Sequence, residues 1–183
     1  MDQKSHCSYE SWGVVCSELT AVFREVSKDA YMEFVRHFEG VSAGRVFFFG
    51  QGRSGLSAQM AAMRFMHLGM DSHFVGEATA PSVRSGDTLV IVSGSGNTPV
   101  GVEFAQIAKS EGAKVVLVTH QIESRLRELA DASIVIPTSQ SKQFGGSLFE
   151  QSALVMLDSV VFELMRGLTD PHATMLYSHT NLQ

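Results

Sequence analysis

The sequence lacks features that define several protein classes. Only two cysteines occur in 183 residues, Cys7 and Cys16, and both lie near the start of the chain. A disulfide between two cysteines in one short segment could not crosslink a domain of this length. We therefore expect no disulfide scaffold and a reduced, cytoplasmic setting. No basic head followed by an apolar core stands at the N-terminus, so we expect no secretory signal.

Excess positive charge and long apolar runs are also missing. Lys and Arg number 14 against 19 Asp and Glu, a net charge of −5, which offers no basic surface for nucleic acid. The apolar stretches are strand-length or are broken by Asp158 and Glu163, so no membrane span is expected. With 44% hydrophobic and 18% charged residues the composition is globular, and we expect one domain over residues 1–183.

The hydrophobic pattern predicts an α/β fold. Apolar residues recur at helical spacing over residues 9–39, which indicates one or two helices. Five short apolar runs follow, and helical patterns separate them: the runs are 46–49, 73–75, 89–92, 115–118 and 134–136, and the helices are 56–68, 100–110 and 125–130. Strands alternating with helices predict a five-stranded parallel sheet, for which we expect the flavodoxin-like order 2-1-3-4-5.

Two segments follow the last predicted strand. Residues 148–166 are apolar on almost every side, so this predicted helix is expected to be buried against the sheet or a partner subunit. Residues 169–183 contain Pro171 and few apolar side chains, and we expect this tail to be loose or held by another chain.

Glycine-rich loops follow the first and third predicted strands. They are GQGRSG at residues 50–55 and SGSGNT at residues 93–98. In a sheet of this order, ligands bind between those two strands at their carboxyl ends, so the loops are expected to face each other. Glycine lets the backbone approach a ligand, helix N-termini attract anions, and hydroxyls donate to phosphate oxygens. The pattern favours a site for the phosphate group of a small metabolite.

Two other interpretations of these loops stay open. Ser95 or Asn97 could simply cap the next helix, which is the commoner role of a lone serine. Residues 50–55 also match the G-x-G-x-x-G fingerprint of dinucleotide-binding folds, with Glu77 in place to bind a ribose. The dinucleotide interpretation leaves the second loop without a role.

The histidines lack metal-ligand spacing. His67, His73 and His120 stand alone, and no H-x-x-x-H or C-x-x-C pair occurs, so no metal site is expected. His67 has apolar neighbours, which favours a buried core or interface histidine. Asp158, inside an apolar helix, is expected to be a satisfied buried or interface carboxylate and not a second catalytic acid.

Seven segments of the sequence carry a resemblance to a known family. They are FFFGQGRSG, MRFMHLG, VGEATAP, GDTLVIVSGSGNT, AKSEGAKVVLVT, GSLFEQSALVMLD and the terminal SHTNLQ. Together they resemble the 6-phospho-3-hexuloisomerases of the sugar isomerase (SIS) domain family. The resemblance implies a homotetrameric isomerase that interconverts D-arabino-hex-3-ulose 6-phosphate and D-fructose 6-phosphate, within the ribulose monophosphate route of formaldehyde fixation or pentose formation. That reaction needs no metal and no organic cofactor.

The resemblance also assigns residues to substrate binding. The resemblance implies that four hydroxyl side chains hold the phosphate and that Arg53 anchors the sugar or its phosphate. The implied binding set is Gly52, Arg53, Ser54, Ser93, Gly94, Ser95, Gly96, Asn97 and Thr98. The sequence departs from the family pattern at Asn97, where glutamate is usual, and in a less charged C-terminal tail.

Two residues are implied to perform catalysis. Glu150 is the implied base, and His179 is implied to reach the site from a neighbouring subunit. On spacing alone, Ser147 and Glu150 form an S-x-x-E capping box, which favours a structural role for Glu150. By position alone, His179 is a solvated residue close to the terminus.

Two alternative functions share the predicted phosphate loops. A sister SIS isomerase would act on arabinose 5-phosphate or sedoheptulose 7-phosphate and would differ in the pocket that binds the sugar. A non-catalytic sugar-phosphate sensor would carry a DNA-binding helical domain upstream. About 44 residues precede the first predicted strand, too few for that domain together with the N-terminal helix of the family.

Overall fold

The N-terminal region is helical, as the periodicity predicts. The computed structural model describes residues 9–39, 44–138 and 140–182, so Cys7 and Gln183 lie outside the described residues. Two helices form at the start, α1 (Tyr9–Glu25) and α2 (Lys28–Arg36). They are separated at Ser27, whose side chain accepts a hydrogen bond from the Ala30 amide at 3.4 Å and so caps α2.

The described residues form one parallel sheet of five strands in the order β2-β1-β3-β4-β5. The strands are β1 (Val46–Gly50), β2 (Ser72–Phe74), β3 (Thr88–Val92), β4 (Lys114–Thr119) and β5 (Ala132–Val135). The predicted fold class, strands and strand order are confirmed. Gly50 of β1 lies opposite Val92 of β3, so the loops that follow these strands begin at the same level of the sheet.

Helices cover both faces of this sheet. α3 (Gly52–His67) and α6 (Ser147–Met165) lie with α1 and α2 on one face, and α4 (Pro99–Ser110) and α5 (Arg125–Leu129) lie on the other. Successive strand residues alternate between the two layers, so Phe48 belongs to the first core and Phe47 to the second. Every residue of β1 and β3 is buried, which explains why these strands are continuous apolar runs in the sequence.

The C-terminal tail contains a helix that the sequence did not predict. α7 (Pro171–Ser178) begins at Asp170, whose side chain accepts from the Ala173 amide at 2.9 Å, and Pro171 suits the first helical turn. The helix lies against α3 of the same chain, although none of its residues is buried. The prediction of a loose tail is therefore wrong.

Helix α6 is buried along one side. Phe149, Met156 and Val160 are among its buried side chains, whereas Val155 and Phe162 are 43% and 62% exposed. The sheet thus leaves part of the apolar surface of α6 uncovered in the single chain. Within the described residues, no helix combines the length and the apolar character that a membrane crossing requires.

Candidate functional site

The first glycine-rich loop joins β1 directly to α3. A Cβ atom on Gly55 would lie 2.5 Å from the Gly50 carbonyl oxygen, so the strand end and the first helical turn touch backbone to backbone. Gly52 has a φ of +57°, a conformation that L-residues rarely adopt. The three glycines therefore set the N-terminus of α3, with Arg53 and Ser54, at the carboxyl edge of the sheet.

The second loop is organised by its own hydroxyl groups. Ser93, which is buried, has its Oγ 2.9 Å from Thr98 Oγ1 and accepts from the Gly96 amide at 3.1 Å. Gly96 has a φ of +62°, and a Cβ there would lie 2.2 Å from Ser124 Oγ. The loop therefore holds one compact conformation, in which Ser93 and Thr98 bind each other.

Neither Ser95 nor Asn97 caps α4. The N-cap of α4 is Thr98, and its side chain makes no capping bond. Asn97 Oδ1 instead accepts from the Arg125 amide at 3.0 Å, which ties the loop to the start of α5. The capping interpretation of this loop is wrong.

Ser95 is the exposed hydroxyl of the second loop. Its oxygen accepts from the Asn97 amide at 3.2 Å, which leaves the hydroxyl proton available to a ligand. α3 begins within the first loop, at Gly52, and α4 begins immediately after the second, so two helix N-termini, each with a positive dipole end, reach this edge. An anion between the loops would find donors on both sides.

Glu150 lies beside the N-terminus of α3. Its carboxylate accepts a hydrogen bond from Arg53 Nε, and its backbone carbonyl accepts from Ser57 Oγ at 2.9 Å. The side chain of Glu150 is 18% exposed, and that of Arg53 is 59% exposed. The structure therefore brings Glu150 and Arg53 together at the glycine-rich loops, with one side of the pair open to solvent.

The predicted capping box of α6 does not form. The N-cap of α6 is Gly146, and Ser147 is the first helical residue. Ser147 Oγ donates to the Phe144 carbonyl at 2.8 Å, while the Glu150 amide donates to the Gly146 carbonyl at 3.0 Å. The capping-box interpretation of Glu150 is wrong, because its carboxylate accepts from Arg53 and does not cap the helix.

His120 is a site neighbour that the sequence reasoning missed. It follows β4, and its ring meets that of Phe149 with centroids 5.8 Å apart at 67°. A Cβ on Gly94 would lie 3.2 Å from Phe149 Cδ1 and 3.3 Å from His120 Cδ2, so both rings pack against the second loop. The available signal was the position of His120 directly after a strand adjacent to β3, where side chains reach the same edge.

His179 lies at the opposite edge of the sheet in its own chain. Its ring stacks on that of His67, the last residue of α3, with centroids 5.2 Å apart at 20°. Arg53 and His67 are separated by 14 residues of helix, or about 21 Å at 1.5 Å per residue. One chain therefore does not bring His179 and Glu150 together.

His67 itself is buried, as expected. The residue is only 6% exposed. Burial lowers the pKa of His67, and the nearby Arg64 and His179 lower it further. The histidine therefore favours its neutral form.

Asp158 is only half covered in the single chain. Its Oδ1 lies 3.8 Å from Arg64 Nε on the outer surface of α3 and α6, and its side chain is 49% exposed. Burial raises the pKa of Asp158, and Arg64 opposes that shift. Asp158 is therefore not the buried carboxylate of the first alternative, and its burial at an interface stays a prediction.

Glu77 makes a local bond in the turn after β2. Its carboxylate accepts from the Phe74 amide at 3.4 Å. Beside it lies an apolar cavity of about 320 Å³, lined in part by Phe47 and Phe104. Among the described residues, no three His, Cys, Asp or Glu side chains converge as a metal site.

Comparison with known proteins places this architecture among sugar-phosphate isomerases. The sequence pattern of the SIS domain family matches residues 41–162. The 3-hexulose-6-phosphate isomerase of Mycobacterium gastri is 42% identical over 152 residues, which cover 78% of this chain and 76% of that protein. The Bacillus subtilis (strain 168) protein of the same name is 38% identical over 152 residues, covering 78% and 82%.

A solved structure agrees in fold and in sequence. It is the crystal structure of a Methanococcus jannaschii protein, for which a 3-hexulose-6-phosphate isomerase function was inferred. It matches with a TM-score of 0.84 at 32% identity, over 95% of this chain and 99% of that one.

Proposed function

The chain belongs to the SIS domain family, and from this membership we propose that it interconverts D-arabino-hex-3-ulose 6-phosphate and D-fructose 6-phosphate. The observation that carries the proposal is the pairing of Glu150 with Arg53 beside two loops suited to phosphate. The relatives with this named activity, at 42% and 38% identity, support the choice of substrate.

The reaction is an intramolecular oxidation and reduction that moves a carbonyl group from C3 to C2. A proton leaves C2, a cis-enediol(ate) forms, and a proton is delivered to C3. One carboxylate positioned over the plane of the intermediate can serve both carbons. A second group must move protons between O2 and O3 or stabilise the charge that develops there.

The phosphate is proposed to bind between the two loops. Ser95 donates its free hydroxyl proton, Ser54 lies at the first turn of α3, and backbone amides at both helix starts complete the cradle. Ser93 and Thr98 contribute by fixing the loop, because their hydroxyls already bind each other. This division refines the assignment of all four hydroxyl side chains to direct phosphate contact.

Glu150 is proposed as the base that transfers the proton between C2 and C3. It is held from two sides, by Arg53 at its carboxylate and by Ser57 at its backbone carbonyl. Arg53 remains 59% exposed, so its guanidinium can also bind an oxygen of the sugar or its phosphate.

His179 is proposed to act in the site of a second copy of the chain. The outer face of α3 supports this, because Leu56, Met60 and Met63 recur at helical spacing and are 59%, 46% and 49% exposed. A partner packed antiparallel along this face would carry its His179 end toward Arg53. We extend the proposal to a homotetramer acting in the cytoplasm, in the ribulose monophosphate route.

Complementation tests the shared site. The variants Glu150→Gln and His179→Ala are each expected to be inactive as pure proteins. Mixed after dissociation and reassembly, they should recover about a quarter of wild-type activity, because half of randomly paired dimers are mixed and each contains one intact site. No recovery, in a mixture shown by light scattering to have exchanged subunits, would place both residues in one chain's site.

A parallel assay tests the substrate. Hexulose 6-phosphate, arabinose 5-phosphate and sedoheptulose 7-phosphate are offered separately with chelator present, and turnover is expected with the first alone. Turnover of another sugar phosphate would identify a sister isomerase. Binding of sugar phosphate without turnover of any would identify a sensor.

A further inference from the structure

A carboxylate on α1 holds the segment that leads into α6. Glu18 Oε1 accepts from the Lys142 amide at 2.8 Å, and Oε2 accepts from Ser141 Oγ at 2.8 Å and Gln143 Nε2 at 3.0 Å. Ser141 Oγ also accepts from the Gln143 amide at 2.9 Å. These bonds join residues more than 120 positions apart in the chain, so a distant helix fixes this short segment.

The tethered segment continues without a break into the start of α6. Phe144 follows it, and the Phe144 carbonyl accepts from both the amide and the hydroxyl of Ser147, at 3.3 and 2.8 Å. Gly145, with a φ of +60°, and Gly146 complete the turn. Three residues later stands Glu150, in contact with Arg53.

The local sequence alone favours a different arrangement. An S-x-x-E sequence at a helix start favours a capping box, in which the serine hydroxyl accepts from the N3 amide and the glutamate carboxylate accepts from the serine amide. In the structure both of these amides have other partners: the Glu150 amide donates to the Gly146 carbonyl at 3.0 Å, and the Ser147 amide donates to the Phe144 carbonyl at 3.3 Å. The conformation of the preceding segment therefore decides whether Glu150 caps its own helix or faces Arg53.

We propose that Glu18 is a positioning residue for Glu150: by holding the segment 141–143 it maintains the turn that keeps Glu150 out of the capping box and in contact with Arg53. This inference rests on the proposed function, since it takes Glu150 as the base. The turn lies directly beside the carboxylate, since a Cβ on Gly146 would be in van der Waals contact with Glu150 Oε1, at 3.4 Å.

The tether is electrostatic as well as geometric. Hydrogen bonds from Gln143, Lys142 and Ser141 lower the pKa of Glu18, with the Gln143 bond the strongest cause. The carboxylate is therefore charged at neutral pH, and charge-assisted hydrogen bonds are stronger than neutral ones. Glu18 touches none of the loops proposed to hold phosphate, so its loss is expected to affect turnover more than substrate binding.

The experiment compares Glu18→Ala, Glu18→Gln and the matched control Glu25→Gln, which changes an exposed glutamate of the same helix. Four quantities are measured on the full chain: kcat and KM with hexulose 6-phosphate, Tm, and the rate of tryptic cleavage after Lys142. Lys142 is the only Lys or Arg between Arg127 and Arg166, so its cleavage products are unambiguous by mass.

Glu18→Ala is expected to lower kcat by about 10- to 100-fold, since small displacements of a catalytic group cost this much. KM should stay within about twofold, Tm should change by at most about 2 °C, and cleavage after Lys142 should accelerate. Glu18→Gln keeps one acceptor oxygen but loses the negative charge. Its kcat and its rate of cleavage after Lys142 should therefore lie between those of the wild type and of Glu18→Ala. Glu25→Gln should match wild type in all four.

Two outcomes overturn the inference while leaving the proposed function intact. One is a Glu18→Ala variant whose kcat equals that of an active wild type, whether or not cleavage after Lys142 accelerates. The other is a loss of activity that follows a loss of Tm, or that falls on KM alone, which would make Glu18 a general structural residue. A wild type inactive on hexulose 6-phosphate overturns the proposed function, and the inference with it.

Discussion

Two arginine–carboxylate pairs lie at opposite edges of the sheet, and they are built differently. At the amino edge, Asp87 accepts from the Arg45 amide at 2.9 Å, from Arg45 Nε and Nη2 at 3.2 and 2.9 Å, and from the Arg84 amide at 2.8 Å. Its side chain is 5% exposed. At the carboxyl edge, Glu150 pairs with Arg53 through one guanidinium nitrogen, and the arginine is mostly exposed.

The contrast distinguishes a pair suited to stabilising the fold from a pair suited to proton transfer. Asp87 has both oxygens engaged by its own chain, so it fastens the segments before β1 and β3 and has little capacity for a ligand. Glu150 keeps lone pairs and an open side, which a base needs in order to accept a proton from a substrate. The number of donors around each carboxylate is consistent with a structural role for Asp87 and with the catalytic role proposed for Glu150.

The largest expected effect is that of Glu150→Gln on turnover. The change keeps the shape and an acceptor for Arg53 but removes the proton acceptor, so kcat should fall by about 10²- to 10⁴-fold. Tm and the affinity for phosphate ligands should change little. The measurement is kcat beside thermal unfolding, with Glu163→Gln on the same helix as control. An active Glu150→Gln enzyme would remove Glu150 from the mechanism.

The next largest effect is that of Asp87→Asn on stability. An amide NH₂ in place of one oxygen would face donors, so the free energy of unfolding should fall by about 2–4 kcal/mol. The kcat of the protein that remains folded should be unchanged. Urea unfolding and active-site-normalised turnover measure the two quantities, and a stable but inactive variant would contradict the division between the edges.

The same pair should be sensitive to acid. Burial alone would raise the pKa of Asp87, but the hydrogen bonds from Arg45 and Arg84 outweigh it and lower the pKa below 3.8. Stabilisation from a carboxylate with a depressed folded pKa is present above the unfolded pKa and is lost as pH falls through the folded value.

A smaller effect is expected for Ser95→Ala. Loss of one charge-assisted hydrogen bond should weaken sugar-phosphate binding by about 1–3 kcal/mol without lowering Tm. Ser93→Ala is the variant to compare with it, because Ser93 is buried and accepts from the Gly96 amide. This variant should have both a lower affinity for sugar phosphate and a lower Tm. Unchanged inhibition of Ser95→Ala by simple sugar phosphates would place the phosphate elsewhere.

The smallest effect concerns His67 at the amino edge. Burial, then Arg64 and His179, hold its pKa below 6.5, so the unfolded chain binds the proton more readily. Stability should therefore decrease as pH falls from about 6.5 toward the lowered folded value, by an amount on the order of 1 °C in Tm. His67→Gln should lose this dependence, whereas His172→Gln on α7 should retain it.

The fold could be predicted because each strand is marked by its own apolar run in the sequence. The apolar runs of β1, β3 and β4 are continuous since both faces of these strands are covered. The position of the two glycine-rich loops could also be predicted, since it follows from strand order. Local sequence and overall architecture agree at these points.

The site could be predicted only in part, because some of its contacts join distant segments. The S-x-x-E pattern favours a capping box, but Gly146 is the N-cap of α6 and the Glu150 carboxylate accepts from Arg53, a residue 97 positions away in the chain. His120 is marked only by its position directly after β4, since its neighbours in space come from the second loop and α6. Helix α7 was missed because its apolar residues are few and none is buried.

The self-bonded conformation of the SGSGNT loop has a kinetic consequence. Because the Ser93–Thr98 and Asn97–Arg125 bonds lie within the chain itself, the proposed anion cradle would have its shape before any ligand arrives. Binding then requires no loop ordering, so association should be limited by encounter and dissociation should set affinity. Inorganic phosphate alone should occupy the same cradle and compete with the sugar, since the loop needs no sugar to assume its shape.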